Sequence, residues 1–238
     1  VLFVAFIAIP KPEKSELVGQ ESFFSDLKNG WMAIRDDKGL FQMLWIGTLY
    51  MLVFMPINAL FPLMSMGYFG GTTTHAAIAE TAFSAGMLAG GLVLGAWGGF
   101  KRRILTLGLS VILMGAGFAA SGLLPTWGFV GFAVLCVVMG FAAPFHGVQT
   151  AIFQERIAPE CLGRVFSLSM SMMSLAMPVG LMLAGAFAEV IGVHNWFLIS
   201  GLLVIAIALL MLSMPAIRSL DDKPASETAV EAASELVE

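Results

Sequence analysis

The chain predicts an all-α integral membrane fold, a bundle of six transmembrane helices, and three observations carry that reading. Hydrophobic residues make up 58% of the 238 and charged residues only 12%, against roughly 25% charged in an average soluble domain. Six apolar runs reach the length of about 20 residues that a helix needs to cross a ~30 Å hydrocarbon core. All 12 Lys and Arg fall in alternate connections between those runs, as expected when basic loops stay on the cytoplasmic side.

The chain opens on "VLFVAFIAIP". Nine apolar residues span about 13 Å as a helix, less than half a bilayer. No basic stretch precedes them, as a signal peptide would require. Residues 1–9 are therefore expected to be the truncated inner end of an earlier crossing. Residues 10–39 follow as a cytoplasmic loop with five Lys and Arg. Within it, Phe23, Phe24, Leu27, Trp31 and Ile34 share about 100° of helical arc, as in a helix lying on the membrane surface. A linker with some helical character fits the same residues.

Residues 40–214 hold the six crossings, expected at Leu40–Met64, His75–Trp97, Ile104–Leu124, Gly128–Ala151, Val165–Ala188 and Trp196–Met214. Their connections are short, which favours antiparallel neighbours. The loops at Ser65–Thr74, Pro125–Trp127 and Glu189–Asn195 carry no Lys or Arg. Both chain ends are thus expected in the cytoplasm. Residues 215–238 contain six acids against Arg218 and Lys223, and this Ala/Ser/Glu-rich stretch reads as a disordered acidic tail. It accounts for the net charge of −4, because the rest of the chain carries ten charges of each sign.

Charge therefore points to the bilayer and to no nucleic acid. Cys136 and Cys161 form no metal pattern and give no reason to expect a disulfide. No metal or other cofactor is implied.

The six crossings divide into two triplets. Pro56 lies 16 residues after the start of the first crossing, and Pro144 lies 16 after the start of the fourth. A polar side chain follows two residues later in each, Asn58 and His146. Helices broken at matching positions of inverted repeats mark the working site of many transporters. Proline is also common in membrane helices, so coincidence remains the other reading. Pro62 and Pro178 are further expected kinks.

Polar groups concentrate on the same two crossings: Gln42, Thr48 and Asn58 on the first, His146, Gln149 and Thr150 on the fourth. These two are expected to line a wet cavity, and the sixth to face lipid. Met173 and Met177 of the fifth suit bulky apolar ligands or ordinary packing. The second crossing carries Gly86-xxx-Gly90 and Gly91-xxx-Gly95-xxx-Gly99, spacing that allows close helix approach.

Glu80 is the carboxylate set well inside a crossing. A charge at mid-bilayer costs about 2.5–3.5 kcal/mol on insertion scales, so such groups face cavities or partners and often take protons. Glu80 and His146 are candidates for proton coupling, separated by about 18 Å of helical rise. Glu80 reaching the outer headgroups is the competing reading. His75 and His194 sit at outer ends as interfacial residues.

At "FQERIAPECLGRVFSLSMSMMSLAMPVGL", "MPINALFPLMSMGYF", "GMLAGGLVLG" and "GVHNWFLISG" the chain resembles the macrolide-efflux branch of the major facilitator superfamily, bacterial drug exporters. The resemblance implies the C-terminal half of a twelve-helix carrier with inverted 3+3 repeats, in a bacterial inner membrane. Its partner is the missing N-terminal half, its cargo an amphipathic small molecule exchanged for protons. By the resemblance, Lys101, Arg102 and Arg103 fill the basic part of the family's inner loop between the second and third helices, although the pattern's aspartate is absent. Glu155, Arg156, Glu160 and Arg164 match the next charged inner loop, with Arg164 the leading gating residue. Plain positive-inside anchoring fits the same residues. Alone, the chain is expected to be inactive.

An exporter of another amphipathic compound, such as a siderophore, is the alternative reading. A membrane enzyme fits less well, for there is no Gly-x-Ser-x-Gly or His-Glu-x-x-His. A pore lacks repeated Asn-Pro-Ala and a Gly-rich filter. An ATP-driven exporter subunit lacks a phosphate-binding loop.

Overall fold

Helix α1 (Lys38–Leu63) begins where Asp37 caps it: the Asp37 Oδ1 accepts from the backbone N–H of Gly39 at 2.8 Å and Leu40 at 3.1 Å. Such caps satisfy donors that a helix start leaves open. The computed structural model describes residues 31–32, 34–35, 37–157 and 159–221. Residues 1–30, with the short first apolar run and most of the surface-helix stretch, lie outside them. Of that stretch, Ile34 is fully buried and Trp31 meets the Phe41 ring at 5.0 Å.

The first crossing is α1 (Lys38–Leu63), continued by one π-helical turn at Met64–Tyr68. The second is α2 (Thr73–Trp97) and the third α3 (Arg103–Leu123). The fourth comprises α4 (Phe129–Ala142), a 3₁₀ turn at Ala143–His146 and α5 (Gly147–Arg156). The fifth is α6 (Pro159–Ile191) and the sixth α7 (Val193–Ser213), after which a short α8 (Pro215–Arg218) follows. Among the described residues, six helices or helix runs are long and apolar enough to span a membrane. They are the six expected from the sequence, with ends that differ by up to six residues.

Local chemistry sets the boundaries. Thr72 and His75 form a capping box at the start of α2, with the Thr72 N–H donating to His75 Nδ1 at 3.1 Å. Gly98, at φ +75°, ends the same helix in the left-handed conformation that glycine adopts without steric cost. The fourth crossing is interrupted at Pro144, as expected, but α1 runs without a break through Pro56 and Pro62, and α6 through Pro178. The expected pair of matching breaks is thus realised on one side only.

The packing carries the inverted repeat more clearly than the prolines do. The third and sixth crossings make the most extensive contact; the second packs on the fourth, and the first on the fifth. The third also meets the fourth, and the first meets the sixth. Exchanging crossings 1, 2 and 3 for 4, 5 and 6 maps this set of contacts onto itself. With three helices per unit, the second triplet necessarily runs opposite to the first.

Two apolar clusters fill the bundle. One lies toward the Lys- and Arg-bearing end and includes Met43, Leu44, Leu107, Phe153, Val165, Ile207 and Met211. The other lies toward the uncharged end and includes Ile57, Met64, Phe118, Phe132, Met139 and Phe197. Phe54 packs against both.

Two sequence expectations need correction. The sixth crossing is not simply a lipid-facing helix: Phe197, Ser200, Gly201, Val204, Ile207 and Met211 are buried, because Gly201 lets it press onto Gly115 and Ala119 of α3. The least buried crossings are the second and fifth, where Leu88, Leu92, Leu175 and Met182 are two-thirds or more exposed. The tail read as disordered from residue 215 is ordered through Asp221. Ile217 and Leu220 are buried in the cluster at the basic end, where Leu220 and Ala216 close over Gly39.

Candidate functional site

The 3₁₀ turn at Pro144 sets the first part of the site. Proline cannot donate to the carbonyl four residues back, and here the freed Gly140 carbonyl accepts from the Ala143 N–H instead. The tightened turn brings His146 to Tyr50 of α1, with Nε2 3.3 Å from the Tyr50 hydroxyl and ring centroids 5.1 Å apart. Gln149, one turn on, faces Gly47. A methyl group at Gly47 would stand 2.9 Å from Gln149 Nε2 and 3.5 Å from Met173 Cε. The sequence-nominated His146, Gln149 and Met173 therefore meet around Gly47 and Tyr50. The space there is small, about 20 Å³, little more than one water. The first and fourth crossings face each other across polar groups at this level, but around a space far smaller than the wet cavity expected of them.

A larger space lies toward the uncharged end. Between α1 and α2, backed by Phe118 of α3 and Met139 of α4, is a cleft of about 360 Å³. Its polar groups are Asn58, Glu80 and Ser84; its apolar walls include Phe54, Phe61 and Phe83. Asn58 and Glu80 are thus brought together, while Asn58 and His146 are not. The single cavity expected from the sequence divides into two levels. Of its other nominees, Gln42 lines neither space, and its Oε1 is buried without a hydrogen-bond partner among the described residues. Met177 is exposed on α6. Tyr50, Ser84 and the phenylalanines escaped the sequence reading, since aromatic and small hydroxyl residues are ordinary inside membrane helices.

The basic end is fastened by a different set. Arg103, at the start of α3, pairs with Glu155 of α5 at 2.5 Å, both about half exposed. Asp221 reaches the same helix start, its carboxylate accepting from the Ile104 N–H at 3.2 Å. Arg156 donates to the Leu220 carbonyl. Two residues nominated for gating, Arg103 and Glu155, are therefore joined. Lys101, Arg102 and Arg164 are exposed on the same end. At the opposite end the Tyr68 hydroxyl donates to the Leu124 carbonyl at 2.7 Å, and its ring stacks on His194 at 4.7 Å. The uncharged loops gather there as the basic ones do at the other.

Among the described residues no group of three or more His, Cys, Asp or Glu could hold a metal ion. The larger space offers aromatic surface and one carboxylate.

Comparison with known proteins agrees in kind. The profile of the Major Facilitator Superfamily matches residues 44–236. Macrolide efflux protein A of Streptococcus pyogenes is 52% identical over 221 residues, 92% of this chain and 55% of that protein. The protein of the same name from Enterococcus faecalis is 51% identical over 179 residues, 75% of this chain and 55% of its own length. Multidrug efflux pump Tap of Mycobacterium tuberculosis (strain ATCC 25618 / H37Rv) is 29% identical over 162 residues, 65% of this chain and 38% of the pump. No solved structure matches significantly. The chain spans about half the length of the efflux proteins it matches. A six-crossing bundle with an inverted-repeat contact pattern, matched by this profile along most of its length, belongs to the Major Facilitator Superfamily, a family of transporters rather than enzymes.

Proposed function

We propose that this chain is the second six-helix half of a bacterial drug exporter, which moves an amphipathic compound outward in exchange for protons. The observation that carries the reading is the 52% identity to a macrolide efflux protein across 92% of the chain. Two features of the bundle support it. The cleft at Asn58 and Glu80, of about 360 Å³, falls within the range of small-molecule sites. The least buried crossings, the second and fifth, are mates under the repeat, so together they offer two equivalent faces for another six-helix unit to rock against.

In this reading both chain ends lie in the cytoplasm and the basic end is the inner gate. The Arg103–Glu155 pair, with Lys101, Arg102 and Arg164 beside it, holds that gate in one state of the cycle. Glu80 and His146 are the candidates for proton coupling, at separate levels of the path. The test is uptake of a macrolide into inverted vesicles containing the complete carrier, driven by an imposed pH gradient. Gradient-driven flux supports the reading, and flux that needs ATP instead removes it. If Glu80→Gln and His146→Ala both leave the pH dependence of flux unchanged, neither residue carries the proton.

A further inference from the structure

Pro215 restricts Met214 to extended backbone, which ends α7 and lets α8 start at the proline itself. The chain turns back across the basic end, and backbone bonds from Ser219 to Pro215, Leu220 to Ile217 and Asp221 to Arg218 continue the turn. Pro215–Asp221 then meets the ends of several crossings. At the sixth, Arg218 donates to the Leu212 carbonyl, one that the end of α7 leaves open. At the first, the Ala216 carbonyl and the Leu220 side chain close over Gly39. At the third, the Asp221 carboxylate accepts from the Ile104 N–H, and at the fourth Arg156 donates to the Leu220 carbonyl. Ile217 and Leu220 are buried in the same cluster as Ile152 and Phe153 of α5.

Of the elements reached, α5 depends most on this hold. It has 10 residues, fewer than the roughly 12–15 below which an isolated helix is marginal in water. The 3₁₀ turn at Ala143–His146 separates it from α4, and only Ile152 and Phe153 of it are fully buried. Its ion pair, Arg103–Glu155, is about half exposed and so is weakened by solvent. In contrast, α4 is locked to α2 where Gly86, Gly90 and Gly140 bring the two backbones together. We infer that Pro215–Asp221 is a strap that keeps α5 seated. With the strap lifted, α5 pivots at the Pro144 turn, carrying Gln149 from Gly47 and Glu155 from Arg103, while α4 stays in place.

Hydrogen–deuterium exchange of the 238-residue chain in lipid nanodiscs tests the strap. Ending the chain after Met214 should speed exchange of the α5 amides about tenfold or more, and of the α4 amides less than about twofold. Ending it after Lys223 keeps the strap and should leave both helices as they are. Gly39→Ala reaches the strap from the other side, since its methyl group would stand 2.5 Å from the Ala216 carbonyl oxygen. It should speed α5 about threefold or more and spare α4, and it decides the matter if the chain ended after Met214 fails to fold. Alanine favours a helix over glycine, so in the strapless chain the same substitution should not speed α5 further. Unchanged α5 exchange in the strapless chain or in Gly39→Ala overturns the strap. Equal acceleration of α4 and α5 also overturns it, because a segment that merely stabilises the bundle does not distinguish them. None of these measurements involves a drug or a gradient, so drug export by the complete carrier stands or falls separately.

Discussion

The Tyr50 hydroxyl, 3.3 Å from His146 Nε2, ties the first crossing to the fourth at a depth where water is scarce. Tyr50→Phe deletes one partner and leaves the imidazole unpaired there, which costs about 1–3 kcal/mol. A lowered thermal midpoint of the detergent-solubilised protein is the expected result, and an unchanged midpoint shows that the pair contributes nothing. Asp221 makes a second single-residue prediction. Its carboxylate accepts from the Ile104 N–H at the start of α3, where the helix dipole favours negative charge. Asp221→Ala should cost about 1 kcal/mol, and Asp221→Asn less, because the amide still accepts a hydrogen bond. Equal melting of both variants and the parent sinks that account. The two sites differ in how far the sequence announces them. His146 stands out because a polar group in an apolar run must be compensated. Asp221 is invisible to pattern reading, since its bond closes across 117 positions and its neighbours have the composition of a tail.

Glycines decide how close the helices come. Gly86 and Gly90 of α2 meet the Val137 and Phe141 carbonyls, and Gly140 of α4 meets the Phe83 carbonyl, so a methyl group at any of the three collides with backbone. Gly95, in the second glycine row of the same helix, has nothing within contact distance. Gly86→Ala or Gly140→Ala should therefore destabilise by about 1–3 kcal/mol, while Gly95→Ala stays within about 0.5 kcal/mol. Unfolding midpoints of the three variants, measured together, check the contrast; equal effects sink it. The small-residue spacing is legible in the sequence, but the choice between rows is not. The two rows lie about 140° apart around one helix, and only the partner helix selects one of them. The prolines teach the same lesson. Pro144 opens a 3₁₀ turn, whereas α1 stays helical through Pro56. At Pro56 the carbonyl that loses its donor is Leu52, and Gly180 of α6 packs directly over it, so that a methyl group at Gly180 would lie 2.6 Å from that oxygen. A neighbouring glycine covers one freed carbonyl, and a tightened turn satisfies the other. Sequence shows the prolines and not the compensation.

At the scale of the molecule, the number of crossings was legible because apolar length reports the bilayer directly. Which faces stay open was not, because a helix surrounded by lipid and one awaiting a protein partner are equally apolar. The sequence pointed to the sixth crossing as the outward one, yet the exposed faces belong to the second and fifth, which exchange with each other under the repeat. That pairing is what a partner unit of the same architecture requires, since two matching faces let it pivot without opening both at once. Inverted vesicles carrying this chain alone should therefore show no gradient-driven macrolide uptake. Supplying the part of the Streptococcus pyogenes relative that this chain does not match should restore it, given 52% identity along the matched part. Replacing Leu88 and Leu92 of α2 with Lys should then abolish the rescue. The chain's insertion, read by protease protection of the Lys101–Arg103 loop, should remain as before if the loop faces the cytoplasm in both forms. Export by the chain alone would show that the bundle works without rocking against a second unit.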